Sequence, residues 1–298
     1  MDQATVLRNV IKMNNVIEIP NTSSRIISVT SGKGGVGKSN VSVNLAVNLT
    51  RMGKRVIIFD ADFGLANVEV MFGAVPQYTL DDVIYKGKSI QEILTMGPCG
   101  VQFISGGSGI TGLSDLRKDQ IDFLIRSMAQ LDNLADIIII DTGAGISNSV
   151  IDFVMSSPEV VLVMTPEPSS LTDSYSLLKA LCHKETYSKE HTKIKVVSNK
   201  ATSRDEGVMM YEKLEAVVKK FLDVNMEFLG IIPSDTSLTK AVMQQMPVSI
   251  HSPSAKSAKA FEEISSKLLN NETYNGAASE SGMARMFAKF LGRKGRLF

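Results

Sequence analysis

One short stretch constrains the fold of this chain more than any other part of it. The run is Ser31-Gly32-Lys33-Gly34-Gly35-Val36-Gly37-Lys38-Ser39, and it lies between an apolar run at 26–29 and a segment with helical apolar spacing. A strand, a glycine-rich turn and a helix in this order match the phosphate-binding loop pattern G-x-x-x-x-G-K-[ST]. In such a loop, backbone N–H groups and the N-terminus of the helix surround a polyphosphate. A glycine-rich turn that binds nothing is the alternative, but both flanks favour a nucleotide site.

The residue types within the loop suggest separate roles. The glycines permit the tight turn, Lys38 is expected to reach the β- and γ-phosphates, and the Ser39 hydroxyl is expected to bind Mg²⁺. The residues predicted to contact the nucleotide here are Gly34, Gly35, Val36, Gly37, Lys38, Ser39 and Asn40.

A second lysine, Lys33, stands directly before the paired glycines, where a generic phosphate loop has no need of one. The run KGGVGKS resembles the deviant Walker A motif of the MinD/ParA ATPases. This resemblance implies that Lys33 crosses an ATP-sandwich dimer and contacts the phosphates bound by the partner subunit. If Lys33 is only a solvated loop charge, the resemblance weakens, and the motif then indicates only some P-loop protein.

Acidic residues follow two apolar runs of strand length. Asp60 and Asp62 come after the run at 55–59, and Asp141 comes after four isoleucines at 137–140. Continuous apolar runs are typical of parallel strands buried on both faces, and the carboxyl ends of such strands are where open α/β sheets bind ligands. Capping of the next helix is the alternative for either aspartate of the first pair. Two acids at one strand end, in a chain with a phosphate loop, favour metal and water chemistry.

The two acidic segments resemble switch I (60–67) and switch II (141–145) of the MinD/ParA family. The resemblance implies that Asp62 orients the attacking water and that Asp60 lies near the metal. Asp141 has the Walker B position, where a carboxylate holds a water on Mg²⁺. Many MinD-type proteins have proline where this chain has Gly143. The run Asp141-Thr142-Gly143-Ala144-Gly145 is more similar to the flagellar branch of the family. The candidate catalytic residues are Lys33, Lys38 and Asp62, and the candidate magnesium ligands are Ser39, Asp60 and Asp141.

Two further strand ends are predicted to contact the base. By the same resemblance, the Asn199 amide reads the adenine edge, and the loop from Pro233 to Asp235 surrounds the ring. Without the family, an Asn-Lys pair at a strand end is an ordinary turn.

Residues 282–298 carry five cations and no acid, so the net charge of this tail is +5. The formal net charge of the whole chain is +1, and the preceding residues therefore have a net charge of −4. Apolar and basic residues in this tail recur at helical spacing on opposite sides. A basic amphipathic helix of this kind is typical of an interfacial membrane anchor, and a helix packed on the protein's own surface or a partner-binding segment is the alternative. The residues expected to meet anionic lipid are Met283, Arg285, Met286, Phe287, Lys289, Phe290 and Leu291.

The N-terminus carries a short amphipathic pattern of its own. Its sequence, Asp2-Gln3-Ala4-x-x-Leu7-Arg8, resembles the DQAxxLR element of FlhG, the YlxH/FleN-type MinD-like ATPases of flagellar placement. In that family the element activates the signal-recognition-type GTPase FlhF, so the resemblance gives Asp2, Gln3, Ala4, Leu7 and Arg8 this role. The alternative is an extra helix lying on the main domain.

Strand and helix patterns alternate through residues 25–268, which predicts an α/β fold with a doubly wound, mostly parallel sheet and helices on both faces. We expect four segments: an N-terminal helix and linker (1–24), an ATPase domain (25–269), a linker (270–281) and the amphipathic helix (282–298). Two isolated cysteines suit a reducing cytoplasm, and no apolar run approaches the ~20 residues that cross a bilayer.

The resemblance implies a slow, Mg²⁺-dependent ATPase switch on the inner face of the cell membrane. It dimerises with ATP and controls flagellar number or placement together with FlhF and the C-ring proteins of the basal body. A MinD-type division-site regulator and a ParA-type partitioning ATPase share the catalytic motifs. Because non-specific DNA binding depends on surface cations, the acidic body argues against the latter. An iron–sulfur carrier of the same superfamily needs more cysteine ligands than Cys99 and Cys182.

Overall fold

The computed structural model describes residues 23–63, 67–107, 116–184, 187, 192–270 and 282–291. Within these ranges, one eight-stranded sheet lies between helices. The strands are β1 (Arg25–Thr30), β2 (Val56–Ala61), β3 (Thr95–Met96), β4 (Gln102–Ser105), β5 (Ile137–Thr142), β6 (Glu159–Met164), β7 (Lys193–Ala201) and β8 (Met226–Pro233). The helices are α1 (Lys38–Arg51), α2 (Asn67–Phe72), α3 (Leu80–Lys86), α4 (Ile90–Ile93), α5 (Lys118–Ala129), α6 (Leu131–Leu134), α7 (Asn148–Ser156), α8 (Pro168–Cys182), α9 (Arg204–Phe221), α10 (Thr236–Met243), α11 (Val248–His251), α12 (Lys256–Asn270) and α13 (Met283–Phe290).

The strand order β3-β4-β2-β5-β1-β6-β7-β8 places β1 inside the sheet, between β5 and β6. Neighbouring strands are parallel, except that the two-residue β3 runs antiparallel to β4 at one edge. This arrangement confirms the predicted doubly wound, mostly parallel sheet. It also brings the loop after β1 next to the carboxyl ends of β2 and β5, since β5 pairs with both β1 and β2.

Side chains that alternate along the strands build a core on each face of the sheet. Ile27 and Val29 of β1 pack with α1 and α12 on one face, whereas Ile26 packs on the other face with α5 and α13. Strands that bury both faces need apolar residues at nearly every position, which is why they read as continuous apolar runs. None of the described helices is long and apolar enough to cross a membrane.

The structure differs from the sequence expectation in one helix. The apolar spacing of the sequence predicts a single helix over 115–131, whereas in the structure α5 begins at Lys118 and the short α6 follows it. Arg117 has an extended backbone, and its N–H donates to the Gln120 side chain at 3.1 Å. Arg117 is therefore the N-cap, and the helix begins at the next residue, Lys118. The predicted N-terminal element (Asp2, Gln3, Ala4, Leu7, Arg8), the 271–281 linker, residues 64–66 of switch I and the end of the tail lie outside the described residues.

Candidate functional site

The phosphate loop turns through left-handed backbone at Gly35 and Gly37, whose φ angles are 77° and 95°. Residues with a Cβ adopt this region only with strain. At Gly37, the N-cap of α1, a Cβ would also collide with the Asn199 amide. Lys38 and Ser39 then open α1, each only 8% exposed. The loop residues predicted from the sequence therefore surround the N-terminus of a 14-residue helix, as an anion site requires.

The beginning of the loop lies directly on α8. A Cβ at Gly32 would overlap the backbone of Asp173 and Ser174. Because no side chain fits between the loop and this helix, the position of α8 fixes the position of the loop.

Asp60 and Asp141 are register partners at the carboxyl ends of β2 and β5. The Asp60 carboxylate accepts N–H donors from Asp62 and Val68, each at 3.1 Å, and so fastens the switch I backbone to the strand. Burial and the neighbouring Asp141 raise the pKa of Asp60 to about 8. Both Asp60 oxygens thus hold protein backbone, and a metal contact of this residue stays a prediction.

Asp141 has the arrangement expected of a residue that faces a cation. It is fully buried, and its Oδ1 accepts the Ser42 hydroxyl at 2.9 Å, whereas Oδ2 has no hydrogen-bond partner among the described residues. Burial raises the pKa of Asp141, against the opposing effects of Lys38 and the Ser39 and Ser42 hydroxyls. Within the described ranges no three His, Cys, Asp or Glu side chains form a metal cage. The buried Asp141 Oδ2 is the observation that fits Mg²⁺, because this ion takes few protein oxygens and keeps water and phosphate oxygens among its ligands.

Asp62, within switch I, lies beside Gly143 of switch II. Its Oδ2 accepts the Asn67 amide at 3.1 Å, and a Cβ on Gly143 would come within 3.7 Å of its Oδ1. Asp62 thus faces switch II across the space in front of the phosphate loop. This position is compatible with its predicted role in orienting water.

Lys33 is bound within its own chain. Its Nζ donates to Glu167 at 2.5 Å and to the Ser169 hydroxyl at 2.9 Å, just before and inside the first turn of α8. The Lys33 cation lowers the pKa of Glu167. Sequence reasoning missed both partners, because their separation from the loop, 134 residues for Glu167, leaves no local pattern.

Asn199 and Lys200 also contact the loop. Asn199 Nδ2 donates to the Val36 carbonyl at 2.7 Å, and its Oδ1 accepts the Lys200 N–H at 2.9 Å. The Lys200 side chain, on a residue with a φ of 59°, donates to the Gly35 carbonyl at 2.8 Å. Both ends of the Asn199 amide therefore hold protein atoms, and its reading of adenine stays a prediction.

The predicted base-binding loop is tied into local structure. Pro233 ends β8, and Asp235 Oδ1 accepts the Ser237 N–H at 2.8 Å. Asp235 Oδ2 accepts the Ser257 N–H at 3.0 Å and its hydroxyl at 2.9 Å. The carboxylate thus caps α10 and joins it to the start of α12, a role that the sequence interpretation did not include.

The amphipathic tail forms helix α13, which packs on the protein's own body against α5 and α7. Met283, Met286 and Phe287 are buried, whereas Arg285 and Lys289 are exposed. Phe290 and Leu291 are partly buried against the same core. The structure therefore shows the intramolecular packing that the sequence left open as an alternative, and the membrane role stays a prediction.

Five phenylalanines connect this helix to the switch segments. Phe287 meets Phe59 of β2 and Phe153 of α7 with ring centroids 5.6 and 6.2 Å apart, and Phe290 stacks on Phe153 at 3.9 Å. Phe63, the residue after Asp62, lies 5.9 Å from Phe153. The docked helix thus contacts Phe59, which directly precedes switch I, and Phe153, which follows switch II. Phe153 in turn contacts Phe63 of switch I.

The chain is similar to known nucleotide-binding proteins. Residues 27–248 match the family described as the CobQ/CobB/MinD/ParA nucleotide binding domain. The chain is 41% identical over 246 residues to the antiactivator FleN of Pseudomonas aeruginosa, covering 82% of this chain and 86% of that protein. It is 31% identical over 291 residues to the flagellum site-determining protein YlxH of Helicobacter pylori, covering 94% and 97%.

Among solved structures, the septum site-determining protein MinD of Pyrococcus horikoshii, complexed with Mg-ADP, aligns with a TM-score of 0.67 and 26% identity. The alignment covers 86% of this chain and 98% of that one. The resemblance seen in the deviant Walker A motif is confirmed, and the chain belongs to the MinD/ParA family of P-loop nucleotide-binding ATPases.

Proposed function

We propose that this chain is a Mg²⁺-dependent ATPase switch that controls flagellar number or placement. In this proposal ATP joins two copies into a homodimer, and the dimer binds the cytoplasmic face of the membrane through α13. The flagellar assignment is supported by the name of the YlxH relative and by the still higher identity to FleN.

The nucleotide chemistry is assigned to the described loop. Backbone N–H groups at residues 34–39 and the Lys38 ammonium bind the phosphates, and their dipoles and charge stabilise the negative transition state. Ser39 and Asp141 hold Mg²⁺, which when bound neutralises charge on the phosphate oxygens. Asp62 orients the attacking water. Because a switch must persist between cycles, slow turnover is expected.

Dimerisation requires Lys33 to change partners. In the single chain its ammonium is held by Glu167 and Ser169. We expect the phosphates of the partner's ATP to replace these contacts, since phosphate carries more negative charge than one carboxylate. The 28% exposure of the Lys33 side chain leaves it accessible for this exchange.

The observation that carries the switch proposal is the packing of α13 on Phe153 and, beyond it, Phe63. Any movement of switch I or of α7 changes the surface on which the helix lies. Release of α13 exposes Met286, Phe287, Phe290 and Leu291 together with the basic face. Each cation near anionic lipid contributes about 1 kcal/mol, which salt weakens, and the apolar side chains supply the salt-resistant part.

The proposed partners follow from the two ends of the chain. FlhF is assigned to the N-terminal element, and the C-ring proteins are assigned to the ATPase body without a designated surface. A synthetic peptide of residues 1–20 is expected to stimulate GTP hydrolysis by FlhF, and Gln3→Ala or Arg8→Ala is expected to abolish the effect. A peptide without effect on the GTPase would remove this part of the proposal.

Liposome co-sedimentation tests the ATP-dependent membrane switch. Anionic vesicles are mixed with the full chain in ADP or in ATP, and with a chain that lacks residues 282–298. We expect sedimentation only for the full chain and mainly with ATP. Phe287→Glu combined with Phe290→Glu is expected to abolish sedimentation while basal ATPase activity persists. Equal sedimentation in ADP and ATP, or sedimentation without the tail, would contradict the proposal.

A further inference from the structure

Three segments that are distant in sequence meet at one carboxylate, Asp132 of α6. Its Oδ1 accepts the Ser24 N–H at 3.2 Å and the Met283 N–H at 3.1 Å, and its Oδ2 accepts the Met283 N–H at 3.0 Å. Ser24 immediately precedes β1, and Met283 is the first residue of α13. The side chain therefore bonds the beginning of the core and the beginning of the tail helix.

The surroundings of Asp132 leave little freedom to this junction. Asp132 is only 7% exposed, and the Ser24 hydroxyl donates to the Ala135 carbonyl at 2.7 Å. Gly282 has a φ of 134°, and a Cβ there would lie 3.1 Å from Asp132 Oδ2. The chain thus enters α13 in a conformation that favours glycine, directly against the carboxylate.

We infer that Asp132 is a positioning residue that couples the root of the N-terminal segment to the docking of helix α13. A buried carboxylate is stable only when its oxygens are hydrogen-bonded. Loss of either donor leaves the Asp132 side chain freer to rotate towards water, so the other donor no longer faces a fixed acceptor. Ser24 and Met283 therefore support each other through Asp132, although they do not bond one another in this arrangement.

The pKa of Asp132 responds to the same two donors. Burial raises the pKa of Asp132, and the N–H donors of Met283 and Ser24 oppose the rise. The two N–H donors thus favour the ionised form, which accepts all these bonds. Because coupling between two sites is reciprocal, a protein that binds the N-terminal segment and draws Ser24 away also loosens α13, and release of α13 loosens Ser24.

The coupling itself concerns only the docking of α13 on the protein. Its effect on membrane binding rests on the proposed function. Its test is amide hydrogen exchange of residues 283–291 in the full-length chain, without nucleotide or lipid. A failure of this test and a failure of ATP-dependent membrane binding are therefore distinguishable.

Four variants separate coupling from simple destabilisation. Asp132→Ala removes the shared acceptor, and Ser24→Pro removes one donor without touching the tail. Ser24→Ala keeps the N–H and is the matched control for the proline variant. Asp136→Ala is the control for Asp132, because the Asp136 carboxylate bonds Arg55 in the same region and, within the described ranges, makes no hydrogen bond to α13.

We expect exchange at 283–291 to become about tenfold faster or more in Asp132→Ala, since bonds to a charged acceptor are lost, and to rise also in Ser24→Pro. Asp136→Ala is expected to keep the wild-type rate. Ser24→Ala, which loses the hydroxyl bond to Ala135 but keeps the N–H, is expected to exchange more slowly at 283–291 than Ser24→Pro. An unchanged rate in Asp132→Ala, or an equal increase in Asp136→Ala, would overturn the positioning role. A fast Asp132→Ala with a wild-type Ser24→Pro would overturn the coupling.

A reciprocal measurement avoids the risk that proline disturbs β1. Deletion of residues 282–298 leaves the sequence of β1 and of Ser24 unchanged, although it also removes the buried side chains of α13. The coupling predicts faster exchange of the Ser24 N–H in this shortened chain, while the Ile27 and Val29 amides inside β1 stay protected. A Ser24 amide that exchanges at its full-length rate without the tail would contradict the inference.

Discussion

Phe153→Ala tests whether the docked helix depends on the aromatic side chain that follows switch II. Phe153 is fully buried, and its ring pairs with both Phe287 and Phe290. Each aromatic pair contributes about 0.5–1.5 kcal/mol beyond the area that it buries, so losing two pairs weakens docking by about 1–3 kcal/mol. This corresponds to a roughly 5- to 150-fold shift from docked towards free α13. The tail itself keeps every residue that is proposed to meet lipid.

The readouts are hydrogen exchange at 283–291 and liposome sedimentation without ATP, both of which are expected to increase. Phe261→Ala is the matched control, because Phe261 is equally buried but packs in the core on the other face of the sheet. Each truncation is expected to lower the free energy of unfolding by about 3–5 kcal/mol. The two variants should therefore have similar melting temperatures, and a difference in tail exchange between them does not come from global destabilisation. If Phe153→Ala leaves tail exchange and ATP-free sedimentation unchanged, or if Phe261→Ala raises both equally, the proposed link between α7 and the tail is wrong.

Three further changes address the site and the core. Asp62→Ala is expected to bind ATP normally but to hydrolyse it at least about 100-fold more slowly, and to accumulate as a dimer in size-exclusion chromatography with ATP; wild-type turnover would exclude the assigned role. Lys33→Ala is expected to bind ATP yet remain monomeric, whereas Lys38→Ala loses binding; equal loss of binding in equilibrium titrations would place Lys33 in its own subunit's site. Burial disfavours the Glu159 carboxylate, but the buried Arg25 at 2.6 Å outweighs this and holds its pKa below the ordinary value. The pair therefore stabilises the fold above pH ~4.5 and loses this contribution as the pH falls through the lowered pKa. Glu159→Gln is expected to cost about 3 kcal/mol at pH 7 and less in acid, as measured by urea unfolding; a pH-independent difference would contradict it.

The phosphate loop, the position of Asp141 at a strand end and the parallel sheet could be predicted from the sequence, because runs of adjacent residues determine each of them. A buried parallel strand requires a continuous apolar run, and a loop that wraps phosphate requires glycines at fixed spacing before a helix. The family resemblance followed from the same local runs. These features depend on backbone conformation and nearest neighbours, so they need no knowledge of the rest of the chain.

Other features were decided only by tertiary structure, because they join residues far apart in sequence. Glu167 reaches Lys33 across 134 positions, and Asp132 reaches Ser24 and Met283 across 108 and 151. An amphipathic helix carries the same pattern whether its apolar face meets lipid or protein, since both environments exclude water from the same side chains. Only the arrangement of Phe59 and Phe153 beside α13 shows that the folded chain itself supplies that apolar environment.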